Sequence, residues 1–194
     1  MANRKLYSIS FRRQRKGKTG YKKRLKLLLS GKPRLVIRKS IKQIFVQAVD
    51  YDEKGDKILL SCTSYDLKKN GWKAGFNNLP SAYLTGVLMG KKCLEKGIKE
   101  MVPDIGLNKS VKGSKMYAVL KGVIDSGVNI NCSEEILPPE GRIKGEHIKK
   151  YAEILSKDKE KYNAKFGDYI KNNFDPTKIT ENFEATKNKI LGEK

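Results

Sequence analysis

Before Asp50 the chain contains no acidic residue: its first 49 positions hold 16 of the 42 Lys and Arg residues and none of the 21 Asp and Glu. A block charged this one-sidedly repels itself and compacts only once a polyanion neutralises it. From Asp50 onward the balance is close to even, so a conventional core belongs mostly there. The formal net charge of +21 sits beside a 38% hydrophobic content. One core with extensions fits within 194 residues; two full domains would be tight. Nucleic acid is the favoured polyanion, because no run of about 18 apolar residues exists to span a bilayer. Nor does a hydrophobic region of secretory type follow Met1–Lys5. A cleavable mitochondrial leader is disfavoured too, since the acid-free block runs on through an apparent strand at Arg34–Arg38.

Cys62, Cys93 and Cys132 form no Cys-x-x-Cys pair and share the chain with a single His. Neither a zinc site nor a disulfide framework suits that spacing. The expectation is a reduced, cytoplasmic protein without metal or cofactor.

Along the chain, Phe11–Arg24 has too few apolar residues to offset the entropy of ordering itself and should need a partner to fold. Tyr21, Leu25, Leu28 and Leu29 repeat at helical spacing until Gly31 and Pro33. Strands are expected at Arg34–Arg38, Gln43–Tyr51 and Lys57–Thr63, the last two flanking a hairpin loop, Asp52 to Asp56. A helix follows over Pro80–Lys96, with Ala82, Gly86 and Gly90 forming a small-residue stripe suited to close approach to a sheet. A fourth strand around Met101–Leu107 contains Pro103, which confines it to an edge or a bulge. Ser114 is positioned to N-cap a second helix ending near Ser126 and Gly127. After Pro138-Pro139 come three narrow apolar stripes on a charged background. The expected organisation is a basic arm with a short helix at 1–31, a mixed-sheet α/β layer core at 32–130, and a C-terminal helical extension at 131–194.

Among motifs, Gly17-Lys18-Thr19 lacks the earlier Gly of a P-loop, whose position is Arg12, and no apolar strand precedes it. Lys18 and Thr19 more simply offer a charge and a hydroxyl to backbone phosphates. Lys112-Gly113-Ser114 sits at a helix N-terminus, where free amides favour an anion; the alternative reading is that Gly113 only turns the chain and Ser114 only caps. Trp72, the only Trp, stands among Lys68, Lys69 and Lys73. Core packing would explain it, but basic residues interleaved with an aromatic are also how RNA is held, and the reading leans to RNA contact. His147 reads as a surface histidine, with no nucleophile or carboxylate dyad around it.

These stretches together resemble one family. They are 12–40 (Arg-Arg-Gln-Arg-Lys-Gly-Lys-Thr-Gly-Tyr through Val-Ile-Arg-Lys-Ser), Ala-Tyr-Leu-Thr-Gly at 82–86, Asp-Ile-Gly-Leu at 104–107, Lys-Gly-Ser-Lys at 112–115, Ser-Glu-Glu-Ile-Leu-Pro at 133–138 and Arg-Ile-Lys-Gly-Glu-His-Ile at 142–148. In order along the chain they are similar to the large-subunit ribosomal protein L-eighteen family, in its longer archaeal form, whose eukaryotic counterpart is ribosomal protein L-five. Ile41, and Phe76-Asn77, depart from that pattern. The resemblance implies a three-layer α/β core with appended C-terminal helices and a non-enzymatic, ribosomal role. It further implies binding to 5S rRNA and attachment of that RNA to the 23S-type large-subunit rRNA in the central protuberance, beside neighbouring ribosomal proteins, with no membrane and no small-molecule substrate. The implied RNA contacts are Arg12, Arg13, Arg15, Lys16, Lys18, Thr19, Tyr21, Lys22 and Arg24 in the arm, and Arg34, Arg38 and Ser40 on the first strand. Lys68, Lys69, Trp72 and Lys73 follow in the basic loop, then Lys112, Gly113 and Ser114. The alternative is an RNA-modifying or nucleotide-hydrolysing enzyme that uses the arm only for docking.

Overall fold

The computed structural model describes residues 9–192. Two short helices, α1 (Arg12–Arg15) and α2 (Tyr21–Leu28), precede strands β1 (Arg34–Lys39), β2 (Ile44–Asp50) and β3 (Lys57–Thr63). Then come α3 (Leu79–Glu95), β4 (Val102–Asp104), α4 (Lys115–Asp125), α5 (Glu140–Lys144), α6 (Glu146–Leu155), α7 (Lys159–Lys171) and α8 (Ile179–Leu191). The sheet order is β3-β2-β1-β4. β1 pairs antiparallel with β2 and parallel with β4, so the sheet is mixed and the fold α/β. β4 occupies an edge, where the missing N–H of Pro103 leaves no ladder bond unmade.

Strand alternation sorts the sheet into two unlike faces. Leu35, Ile37, Ile44, Val46, Ala48 and Cys62 point to one side and are all buried. Against them pack α3 and α4. Each such aliphatic side chain contributes about 1.5–3 kcal/mol when fully removed from water.

The small-residue stripe of α3 serves a different neighbour from the one its sequence suggests: it meets α4, not the sheet. A Cβ on Gly86 would lie 2.2 Å from the Val119 carbonyl oxygen, and one on Gly122 of α4 would lie 2.2 Å from that of Tyr83. Glycines on both helices allow backbone to touch backbone, a reciprocity that the α3 stripe alone does not reveal.

Beyond β3, a 3₁₀ helix runs over Ser64–Asn70, closed at its start by a reciprocal Thr63–Asp66 capping box. Ser114 does stand at the N-cap of α4, yet its hydroxyl makes no capping hydrogen bond. Of the C-terminal elements, α8 returns to α3. Phe183 stacks beside Tyr83 with centroids 5.6 Å apart, and Ile179 and Ile190 are buried. The three thiols are free, and burial pushes those of Cys62 and Cys93 up to about 12 and about 11, as expected of small core residues. No described helix is long and apolar enough to cross a membrane.

Candidate nucleic-acid interface

The other face of the sheet carries Arg34, Val36 and Arg38 from β1, Gln47 and Val49 from β2, and Ile58 from β3. Over it lies the basic arm, and between them is a cavity of about 570 Å³. Arm residues Arg13, Lys18, Thr19, Lys23, Arg24 and Lys26 line one wall. The segment after β4 supplies another, with Leu107 against Gly20. Within the arm, Phe11 and Tyr21 stack at 5.0 Å, and the Arg13 Nε donates to the Thr19 hydroxyl at 2.9 Å.

Two carboxylates order the arginines at the base of the cavity. Asp56, immediately before β3, accepts hydrogen bonds from both terminal nitrogens of Arg24, at 2.8 and 2.6 Å. This fork-to-fork pair is the strongest geometry open to an arginine. Arg34 Nη2 lies 2.8 Å from Asp56 Oδ2, and its Nη1 donates to Asp104 at 3.1 Å. Arg38 donates to the Asp104 carboxylate at 3.2 Å and to its backbone carbonyl at 2.8 Å. The hydrogen bonds from Arg24, and then the adjacent Arg34, hold the Asp56 carboxyl down at about 2, against the desolvation that opposes them. The same bond raises the Arg24 pKa. Asp104 is anchored in turn by the Gly106 amide at 2.8 Å. The result is a chain of three arginines and two carboxylates running from the arm to the far edge of the sheet.

This geometry separates the sequence-expected contacts into groups. Arg12, Arg13, Arg15, Lys16, Lys18 and Lys22 are exposed, and Thr19, Tyr21 and Arg24 half-buried beside them. Arg38 keeps 44% of its side chain exposed. Arg34 is only 3% exposed, so it positions the other groups and does not reach out itself. The Ser40 hydroxyl is spent closing the β1–β2 turn, donating to the Gln43 carbonyl and accepting from its amide, both at 3.0 Å.

Lys68, Lys69 and Lys73 are exposed, but they do not line the arm cavity. Trp72 is corrected outright. It is 1% exposed, its indole N–H donates to the Gly75 carbonyl at 3.2 Å, and its ring lies in the core where no base can stack on it. The neighbouring Gly71 and Lys73 backbone is clamped by Asn182 of α8. Lys112 is exposed with only a long 3.7 Å contact to Glu135, and Gly113 adopts φ +66°.

Asp56 and Asp104 were not among the site residues the sequence suggested, nor were Lys23 and Lys26. Asp56 reads locally as a hairpin residue, and nothing in its neighbourhood announces an arginine 32 positions earlier.

A family model describing ribosomal large subunit proteins 60S L5, and 50S L18 matches residues 5–102, just over half of the chain. The chain belongs to that family. It is a large-subunit ribosomal protein, RNA-binding and part of the translation apparatus, and its place is the ribosome. The matched segment of this ribosomal protein takes in the arm, the first three strands and α3, and ends at Val102 as β4 begins. The arginine–carboxylate chain therefore lies inside it except for Asp104.

Proposed function

We propose that this protein binds 5S rRNA through the arm and the arm-facing side of the sheet, and helps to hold that RNA against the large-subunit rRNA in the central protuberance. The observation that carries the reading is the arm cavity. Exposed cations of α1 and α2 stand over the sheet face, with Arg24 of α2 pre-oriented by Asp56 and Arg38 of β1 by Asp104. Arginines held in a fixed plane lose less rotamer freedom on meeting phosphate than free ones do. The work is structural: neutralising phosphates and fixing the relative position of two RNAs.

The test is binding of the full chain to a 5S rRNA transcript across salt concentrations. If about 6 to 10 phosphates are neutralised, affinity falls by about three to five decades between about 50 and 200 mM salt. Deleting residues 1–24 should abolish binding while circular dichroism still reports a folded α/β core. Undiminished binding by the truncated chain, or an affinity indifferent to salt, overturns the assignment.

A further inference from the structure

The arm is joined to the sheet by very little. α1 and α2 bury none of their side chains. Among the described residues, the two hydrogen bonds from Arg24 to Asp56 are the ones that tie positions 9–29 to the sheet or to the helices behind it. Just after α2, Gly31 adopts φ +63° with open space where a Cβ would stand. It is a joint with no side chain to restrain it.

Asp56 stands between two arginines of unlike burial. Arg24, with 31% of its side chain exposed, takes both carboxylate oxygens. Arg34, at 3%, brings its Nη2 within 2.8 Å of Oδ2, the oxygen that also accepts from Arg24 Nη1. That approach is an ion pair without hydrogen-bond alignment: Arg34 Nη2 and Nε are buried donors that meet no acceptor. Unsatisfied donors at this depth are rare. A carboxylate with both oxygens committed to Arg24 cannot complete Arg34 as well. Released by Arg24, it can turn the same fork onto Nε and Nη2, the two donors that a guanidinium presents side by side. A phosphate offers Arg24 the two acceptors that Asp56 now supplies. After such an exchange Arg24 is paired with phosphate, Asp56 with Arg34, and Arg34 keeps its bond to Asp104. No buried charge is left alone, and two orphaned donors are satisfied.

We propose that Asp56 is a placeholder for phosphate: RNA takes Arg24 from it, the carboxylate closes on Arg34, and the released arm swings about Gly31 onto the RNA. The proposal rests on the reading that RNA meets the chain at the arm, and adds the conformational step by which it does so. Until the exchange the pair orients Arg24, and at the exchange it yields. In the free protein the acid-free block is thereby latched against its own sheet, and a polyanion opens it only by presenting a phosphate at Arg24.

The test follows the arm directly. Nitroxide labels are placed at Q14C in the arm and K54C in the β2–β3 hairpin, both exposed, in a C132S background that leaves the buried Cys62 and Cys93. The distance between them is measured in the full chain alone, with a 5S rRNA transcript, and with inorganic polyphosphate. It should lengthen on either polyanion, and D56N should show the long distance before any is added. In unlabelled chains, folded by circular dichroism, D56N should bind the transcript about two- to fivefold more tightly, the worth of one exposed ion pair. R24Q should lose about 0.7 to 0.9 in salt slope, one phosphate contact. E53Q removes one negative charge from the same hairpin, with no arginine on it among the described residues, and should match the wild type. An unchanged label distance in the 5S rRNA complex, weaker binding by D56N, an unchanged slope in R24Q, or an equal gain in E53Q each overturns the latch while leaving RNA binding in place. If the transcript does not bind but polyphosphate opens the arm, the 5S assignment fails and the latch stands. If neither polyanion moves the arm, the latch is overturned.

Discussion

The two faces of the sheet are held by opposite kinds of force. On the helical side, α3 and α4 meet at Gly86 and Gly122 with backbone against backbone, over a layer of fully buried aliphatic side chains. On the arm side, the contacts are arginine to carboxylate, with both groups of the Arg24–Asp56 pair about 30% exposed. Close packing has no substitute partner, so the helical face is committed to the chain itself. An arginine has an obvious second partner in phosphate, so the arm face is organised without being closed. A basic surface that carried no carboxylates would repel itself in the free protein. Two aspartates are enough to order three arginines and still leave the arm strongly positive.

The largest effect is expected on the committed side. In Gly86→Ala the new methyl would sit 2.2 Å from the Val119 carbonyl, with no flexible side chain to give way. Overpacking of this kind costs about 3 kcal/mol or prevents folding. Urea unfolding measures it, and a loss below about 1 kcal/mol would show that the helices can part cheaply and that the contrast between the faces is false.

Asp104→Asn probes the boundary between the two regimes. Arg34 is 3% exposed and would be left with Asp56 as its one carboxylate. Stability should fall by about 2 kcal/mol, less than the full cost of an unpaired buried charge because Asp56 remains. RNA affinity should fall as well, since Arg38 loses its anchor. A variant with wild-type stability would mean that Arg34 is held by packing and not by charge.

A smaller effect comes from acid. The Asp56 carboxyl is depressed from 3.8 to about 2 in the folded chain. Its stabilising contribution is therefore complete above pH 4 and is lost as pH falls through about 2. Partial exposure keeps the contribution below about 1 kcal/mol. Unfolding measured between pH 5 and pH 2 should be steeper for the wild type than for Asp56→Asn, and identical profiles would remove the Arg24–Asp56 pair as the clasp of the arm.

How much of this was legible beforehand follows the same division. β2 could be read because burial alternates with a period of two along Ile44–Ala48, and β3, which does not alternate, was bounded by its hairpin loop and runs over Lys57–Thr63 as expected. Pro103 narrowed the fourth strand to an edge or a bulge, and β4 lies at the edge. What could not be read were pairings between distant positions. The glycines of α3 announce close approach but not what approaches. The stripe of Phe183 and Ile190 shows an amphipathic helix but not that it lies on α3. At the site, the exposed cations follow directly from the acid-free block, whereas the carboxylates that order them lie in segments with unremarkable local sequence.

Trp72 is where composition misled the reading of the site, and it supplies the smallest expected effect on RNA affinity. Three lysines around an aromatic resemble an RNA-stacking loop, but Lys68 and Lys69 are exposed on the 3₁₀ helix and Lys73 beyond it, while Gly71, at φ +89°, turns the chain back and the Trp72 ring enters the core. Trp72→Phe should therefore cost stability, by about 1–2 kcal/mol for the lost volume and the lost bond to Gly75. Affinity for 5S rRNA, measured where the variant is fully folded, should change by less than about twofold, because a lost base stack would cost about 1–3 kcal/mol. A tenfold loss of affinity in the folded variant would mean that the loop opens on RNA and that the helical side of the molecule is less committed to itself than its packing implies.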